Sequence, residues 1–420
     1  MDDNLKTITK LVQLLDKPLV VFDIGCRWGF QDKWKRLLPN IELIGFDADK
    51  AACETLGKSE GVSANQVVAK ALGAEKGQAE LFVTIEPACS SLFQPDLELI
   101  KDRPALLQAT SLVSVTPVEL TTLDEYGIAN GISEIDFMKL DVQGAELDIL
   151  KGSQHFLKSI RALEVEVEFN PIYQGQPLFS DIDIFLRAQG FCLWRLSHLQ
   201  HYGLPSNASQ FNTDEIAGFD SQSTNFVGHG GQLYWGEAFY VRNEIAYTKG
   251  IRNWQTALRD ACIAMVLGFD DLATKSITEA LASCPTEIGA KLREIEELNI
   301  PQYIFKGGFS NLESDGEKNW RWSGHHGILC VRNIMNKNIP VSIVFDAISG
   351  TGEETDLIIK SKTWTETIRI SGKPKHIERK IIIDQAPLDI QFLCEASRFD
   401  PANGDHRELV FRIDNFHFGK

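Results

Sequence analysis

Between residues 18 and 170 the chain alternates short apolar runs with helix-like ones, and from about residue 305 it turns to a period of two. No single sheet satisfies both patterns. PLVVFDIG, IELIGFDA, QVVAKALG, AELFVTI, EIDFMKLDV and ALEVEVEF are short and rich in β-branched residues, and DKAACETLGK and QGAELDILKGS lie between them. Strands separated by helices predict βαβ units and a mainly parallel α/β sheet. SDIDIFLRAQG predicts a helix ending on Gly190, FCLWRL a further strand, and GQLYWGEAFYVRN the close of this unit near residue 243. IRNWQTALRDACIAMVL and DDLATKSITEALAS then read as a helical hairpin, the second helix starting behind Asp270 or Asp271 as N-cap. A connector with Pro285 and Pro301 follows. ILCVRNI, VSIVFDAIS, TDLIIKSK, WTETIRIS, HIERKIIID, LDIQFLCEAS and ELVFRIDNFHF come at roughly ten-residue spacing, divided by turn clusters such as SGTGEET and DPANGDHR. They predict an antiparallel, jelly-roll-like β-sandwich. The expected division is 1–245, 246–303 and 304–420, which suits a chain of 420 residues.

Charge narrows the partners. A net charge of -16 argues against nucleic acid, which needs clustered Lys and Arg, and weakly suits a neutral or cationic ligand. No apolar stretch approaches the roughly 18 residues of a membrane span, so no integral membrane segment is expected and peripheral association stays open. The amphipathic start, MDDNLKTITKLVQLLDK, lacks the pattern of a signal peptide. Eight scattered cysteines, with no Cys-x-x-Cys, read as free thiols in a reducing cytoplasm. Oligomeric state is not encoded in any of these features.

DIGCRWG, residues 23–29, follows the first strand. Asp23 falls at the strand's carboxyl end, and Gly25 and Gly29 flank a tight turn, at the sheet edge where ligands bind. The spacing is not the G-x-G-x-x-G of a dinucleotide site. Asp47 ends the second strand, where a carboxylate can accept both ribose hydroxyls of an adenosine. Two acids and a Gly turn suit a nucleoside with an amino-acid tail; N-capping aspartates on a plain strand-turn-helix are the alternative.

IDFMKLDVQGAELDILKG adds a strand ending in Lys-x-Asp, a Gly-x-Glu helix start and a Leu-Lys-Gly end. With DIGCRWG, FDAD, ALGAEKGQAELFV, SSLF, VELTTLDEYG and FNPIYQGQPLFSDIDIFLRAQGF in order, residues 18–243 resemble the FkbM family of S-adenosylmethionine-dependent methyltransferases. Cys26 and Arg27 replace that family's usual small residue and Asn, Asp47 stands where Glu is common, and Gln143 where an acid is usual. The resemblance implies a Rossmann-like domain moving a methyl group from S-adenosylmethionine to a hydroxyl of a sugar or natural product. It implies cofactor contacts at Asp23, Gly25, Cys26, Gly29, Asp47, Ala48, Ala71, Leu72 and Asp141.

A hydroxyl nucleophile must lose its proton, so a general base is expected. Asp141 and Glu168, at strand tips, are candidates, and they could instead hold Mg²⁺. Glu164, Glu166 and Glu168 share one strand face, which reads as a solvated face or as a catalytic set. His198 and His201, in SHLQHYG, read as a loop beyond the sheet, with His201 a third candidate base. Glu146 suits the helix dipole, and Lys139 solvent or nearby acids.

GGFSNLESDGEKNWRWSGHHGILCVRN, with its Gly-x-x-x-Leu-Glu and then Trp320-Arg321-Trp322, resembles the start of β-sandwich modules appended to polysaccharide-building transferases. Trp320, Trp322 and Trp364 either stack on sugars or anchor the core. The expectation is a cytoplasmic O-methyltransferase for a hydroxyl on a surface polysaccharide or its lipid-linked precursor, a glycan or glycolipid acceptor. A small-molecule natural-product O-methyltransferase and a non-catalytic glycan-binding protein are the alternatives.

Overall fold

The computed structural model describes residues 2–59, 67–203, 210–213, 232–247, 252–295, 302–310, 313–314, 318–332, 338–384, 386–399 and 409–419. Among these the chain forms two compact units, one running to Cys284 and the other from Pro285 onward.

The first unit's central sheet has eight strands: β1 (Leu19–Ile24), β2 (Ile41–Asp47), β3 (Val67–Ala69) and, later in the chain, β7 (Phe137–Leu140), β8 (Ala162–Glu168), β9 (Phe191–Tyr202), β10 (Gln210–Thr213) and β11 (Gln232–Arg242). The runs β4 (Ala71–Leu72), β5 (Gly77–Thr84) and β6 (Leu112–Thr121) form a separate three-stranded sheet in the order 4-6-5. In the large sheet the order is 10-9-11-8-7-1-2-3. β8, β7, β1, β2 and β3 are parallel neighbours, whereas β11 runs antiparallel to both β8 and β9, and β10 antiparallel to β9. The mainly parallel expectation holds for this sheet. QVVAKALG divides at Lys70 into two strands of different sheets, which its continuous apolar pattern conceals. β6 escapes the hydrophobic pattern because nearly all its side chains face solvent and it contains Pro117.

Phe22, Ile24, Phe46, Met138, Leu140, Leu163, Val165 and Val167 pack with Ile149, Leu150, Leu186 and Tyr240 into one core. The chain leaves β1 for β2 and β3 on one side and returns to β7 on the other, so β1 and β7 border a topological switch point.

The helices Trp254–Val266 and Asp270–Ser283 are the expected hairpin, with Gly268 at φ +68° between them, and they belong to this first unit. Phe269 occupies the N-cap position of the second helix without a side-chain cap, so Asp270 and Asp271 fall inside its first turn, where they complement the helix dipole. Buried charges tie the hairpin in. Arg259 Nη1 lies 2.8 Å from Asp136 Oδ2, which also accepts the Val20 N–H at 2.8 Å, and Arg161 makes a bidentate contact to Asp260 at 2.7 and 2.9 Å. Burial outweighs the Arg259 charge and pushes the Asp136 carboxyl up to about 6.

In the second unit β12 (Gln302–Lys306), β13 (Glu313–Ser314), β14 (Asn319–Ser323), β15 (His326–Arg332), β16 (Ile339–Ser349), β17 (Thr355–Lys360), β18 (Thr365–Ile370), β19 (Lys375–Ile383), β20 (Leu388–Cys394) and β21 (Phe411–Gly419) form two antiparallel sheets, ordered 12-15-20-17-18 and 13-14-21-16-19. Leu329, Ile359, Ile390 and Phe392 of one sheet meet Ile343, Phe345, Ile377 and Ile413 of the other in a shared core, a sandwich. Among the described residues, each of the seven period-two runs contributes a strand. DPANGDHR and Leu312 of the Gly-x-x-x-Leu-Glu stretch lie outside the described residues.

Removing one partner of a buried pair strands the other charge. Arg259→Met should therefore lower the unfolding free energy by about 3–5 kcal/mol in a denaturant titration. Adding Asp136→Asn should return more than half of that loss; a double variant as weak as the single one would contradict the account.

Candidate active site

At the carboxyl end of β1 the chain turns through Gly25 (φ +90°) and Gly29 (φ +105°). A Cβ on Gly25 would stand 1.8 Å from the Asp141 carbonyl oxygen, so only glycine fits where the tips of β1 and β7 meet. The Gly25 and Cys26 N–H groups donate to Phe46 O at 2.8 and 3.1 Å, and the Asp141 N–H to Ile24 O at 3.0 Å. The turn is thereby fastened to both neighbouring strands.

A solvent-open cleft of about 750 Å³ lies over these tips. Its wall includes Gly25, Asp47, Ala48, Ala71, Leu72 and Asp141. Three other expected contacts are not on that wall. Asp23 is buried with its Oδ1 unpartnered, Cys26 is buried against Gly45, and Gly29 closes the turn on Cys26 O. Arg27 and Trp28, the interior of DIGCRWG, do line the cleft; Arg27 pairs with Asp49 at 2.9 Å, and Trp28 is 72% exposed. Asp49 receives the Ala51 and Ala52 N–H groups and so caps the helix Lys50–Ser59. That leaves Asp47 free of capping, one of its oxygens fixed by the Asp49 N–H at 2.7 Å.

The loop after β7 forms the remaining wall. Gln143 (φ +60°) and Gly144 (φ +104°) sit in the left-handed region. Glu146, fully buried, holds that loop by accepting the Val142 and Gly144 N–H groups, each at 2.8 Å. Its role is more specific than complementing a helix dipole. Ser91 of SSLF donates to Gln143 O at 2.6 Å.

A second cavity of about 780 Å³ shares Ala88, Asp141 and Gln143 with the cleft. Lys139, Glu164, Glu166 and Glu237 line it together with the rings of Tyr173, Tyr202 and Trp235. The three glutamates of ALEVEVEF are buried, at 1%, 8% and 1% exposure, so they do not form a solvated face. Glu168 stands outside both walls, its Oε2 buried without a partner. SHLQHYG is not a loop: His198 and His201 lie within β9, where cross-strand pairing extends the strand to Tyr202. His201 is on neither cavity wall, and His198 (φ +50°) contacts Glu237 at 2.9 Å.

The acids differ in how they hold protons. Burial pushes Asp141 up, but the Lys139 ammonium, 2.9 Å away, outweighs it and leaves the carboxyl below the usual range. Lys139, drawn down by burial, is held above its ordinary value by Asp141 and Asp23. Burial, then the neighbouring carboxylates, raises Glu166 and Glu168 well above the ordinary glutamate range. Burial likewise raises Glu146 to about 7 and Asp23 to about 6. Among the described residues no group of three or more His, Cys, Asp or Glu side chains could hold a metal ion, and no helix is long and apolar enough to cross a membrane.

Several wall residues were not singled out by sequence reasoning. Lys70, Ser90, Trp28 and Tyr173 come from loops, and Tyr202 and Trp235 from β9 and β11, whose pairing shifts register around Trp235, so no simple periodicity encodes their side-chain directions. In the second unit Trp364 packs on the core beneath Arg379, while the half-buried Trp320 and Trp322 flank Arg412 at 5.4 and 5.6 Å.

Asp23 gives a pH test. Its raised pKa means the folded state binds this proton more tightly than the unfolded chain. Its contribution to stability therefore falls as pH rises from about 4 to 6. Asp23→Asn should gain on the native protein over that window, by on the order of 2 kcal/mol in the difference of unfolding free energies. A difference independent of pH would refute it.

Residues 43–193 match the family model described as the Methyltransferase FkbM domain. The 2-O-methyltransferase NoeI of Sinorhizobium fredii (strain NBRC 101917 / NGR234) is 27% identical over 192 residues, covering 43% of this chain and 77% of that protein. Among solved structures, a family two carbohydrate esterase from Clostridium thermocellum aligns at 13% identity over 29% of this chain and 32% of its own, with a TM-score of 0.19. The carbohydrate binding module CBM6cm-2 from Cellvibrio mixtus lichenase 5A aligns at 10% identity over 29% and 92%, with a TM-score of 0.18. Scores this low carry no argument about function. The matched segment supplies Asp47, Ala71, Leu72 and Asp141 of the cleft wall, whereas the glycine turn at Gly25 lies before it; residues 43–193 are thus similar to the FkbM methyltransferase domain.

Proposed function

We propose that this protein is an S-adenosylmethionine-dependent O-methyltransferase acting on a sugar hydroxyl of a surface polysaccharide or its lipid-linked precursor at the cytoplasmic face. One observation carries this reading. A glycine-turn cleft, with Asp47 and Asp141 on its wall, adjoins a second cavity lined by rings and carboxylates, and Asp141 and Gln143 stand at the junction.

The cleft residues suit the donor. A turn without side chains at Gly25 leaves room for the methionine end, Asp47 offers a carboxylate to the ribose hydroxyls, and Ala71 and Leu72 supply an apolar surface for a base. When bound, the donor supplies a methyl group already activated by its sulfonium for in-line displacement. The chain's task is alignment: Glu146 fixes the loop that carries Gln143, and the Ile24–Asp141 hydrogen bond fixes the strand tip. Tyr173, Tyr202 and Trp235 suit the C–H faces of a sugar, and the carboxylates its hydroxyls. Among the expected bases, Asp141 meets both cavities, whereas Glu168 and His201 face neither. The NoeI likeness supports transfer to oxygen. We further read the first unit as the Rossmann-like catalytic body and the second as a jelly-roll-like module; its half-buried Trp320–Arg412–Trp322 group leaves glycan binding there as a question for the same assay.

Calorimetric titration with S-adenosylmethionine should show one site, and Asp47→Ala should weaken it at least tenfold. Isolated cell-surface glycan should lose a mass increment of ~14 Da, one methyl group replacing a hydrogen, when the gene is deleted. No donor binding by the native protein would leave a non-catalytic glycan-binding protein. Donor binding with an unchanged glycan, and transfer to a free small acceptor, would favour a small-molecule natural-product enzyme.

A further inference from the structure

Four carboxylates line the second cavity: Asp141, Glu164, Glu166 and Glu237. Three have a basic partner. Asp141 lies 2.9 Å from Lys139, Glu164 receives Lys33 at 2.6 Å and Gln31 at 2.5 Å, and Glu237 contacts His198 at 2.9 Å. Among the described residues, Glu166 has no basic partner: Gln143 Nε2 donates to Glu166 Oε2 and, at 3.3 Å, to Asp141 Oδ1, and the Glu166 carboxyl also hydrogen-bonds Asp141. The amide cannot turn freely, because its Oε1 lies 3.1 Å from the Tyr173 hydroxyl, which shares its proton with Cys89 O at 2.8 Å. Backbone position is fixed as well, by Ser91 on Gln143 O and by Glu146 on both flanking N–H groups.

We propose that Glu166 takes the proton from the acceptor hydroxyl, and that Gln143 is the positioning residue that aims it at the junction of the two cavities. The inference rests on the methyl-transfer reading above and names the base within it. The hydroxyl oxygen bonds to the donor's methyl carbon as the S–CH3 bond breaks and the sulfonium leaves as a neutral thioether; the hydroxyl proton passes to a carboxylate oxygen of Glu166, which gives it to water afterwards.

The paired acids are poorer choices. Lys139 holds Asp141 in its weakly basic, ionised form, and a base works best with a pKa near the working pH. Around Glu166 stand Lys139 on β7 and Asp141 just beyond its end, Glu164 and Glu168 on its own strand, Glu237 opposite it on β11, Glu146 on the following helix, Tyr202 on β9 and Tyr173. Burial, followed by the charges of Asp141, Glu168 and Glu146 and a hydrogen bond to Asp141, raises its proton affinity; a donor such as the Gln143 amide favours the charged form. Removing that donor must move the titration of Glu166 upward.

Two measurements test this, one without any ligand. In protein labelled with [δ-13C]glutamate, Glu166→Gln assigns the Glu166 carboxyl signal. Its midpoint should lie above those of exposed glutamates, and Gln143→Leu should move it higher. In the second, donor and surface glycan purified from the deletion strain are incubated over a range of pH. The rate should rise along an alkaline limb that Gln143→Leu displaces the same way. Glu166→Gln should cost about 10²–10⁴-fold in rate with donor affinity within twofold of native, which also shows the variant is folded, and Glu166→Asp should recover part of the loss. Native rate and limb in Glu166→Gln, a Glu166 midpoint unmoved by Gln143→Leu, or a limb lost in Glu168→Gln instead would overturn the assignment. Failure of the native protein to bind the donor would overturn the methyl-transfer reading itself, a distinguishable result.

Discussion

The first unit depends on how closely the tips of β1 and β7 approach. At Gly25 the Asp141 carbonyl occupies the space a side chain would need, and backbone hydrogen bonds from Gly25, Cys26 and Asp141 lock that proximity in place. With β2 and β3 on one side and β7 and β8 on the other, the chain reverses direction across this contact. The strand ends must then splay, and the cleft opens above them. What the cleft presents follows from the three loops that leave these tips, each held by its own side-chain contact: Arg27 on Asp49, Asp47 on the Asp49 N–H, Glu146 on the Val142 and Gly144 N–H groups.

Much of this was legible because it is written in short-range patterns. β1, β2, β7 and β8 are apolar runs ending in acids, and a Gly turn behind such a run can be read without knowing what it faces. Seven of the ten described strands of the sandwich announce themselves by period alone. Asp47, Ala48, Ala71, Leu72 and Asp141 were expected together and do share one wall. Cys26 could not be placed, because its direction is set by the absence of a side chain on Gly45 of the adjacent strand, a fact of register and not of local sequence.

The acids of ALEVEVEF show the same boundary. Alternation correctly puts Glu164, Glu166 and Glu168 on one face, but whether that face meets water depends on what covers it. Here the covering comes from Tyr173, Tyr202 and Trp235, all from later in the chain. The same limit applies to β9: SHLQHYG looks like a loop locally, yet its backbone is claimed by β11 and β10. In the hairpin, Arg259 and Asp260 sit on a helix whose apolar spacing predicts burial of that face, and nothing nearby identifies Asp136 and Arg161 as their partners.

The charged side chains of the sheet also lie in rows. Parallel pairing aligns Asp23 with Lys139 and Lys139 with Glu164, and one step further along the antiparallel pairing sets Glu166 against Glu237. A slip of one residue in any of these strands would send a carboxylate into the apolar core and bring a leucine or valine to the cavity. Sheets covered by helices on both faces have apolar residues on either side and tolerate such slips more readily. The polar rows remove that ambiguity, so residues that line the second cavity also tell each strand where to stop sliding during assembly. An apolar side chain at these positions would remove that cue, since either face of the strand could then be buried, whereas an amide of the same shape would keep it.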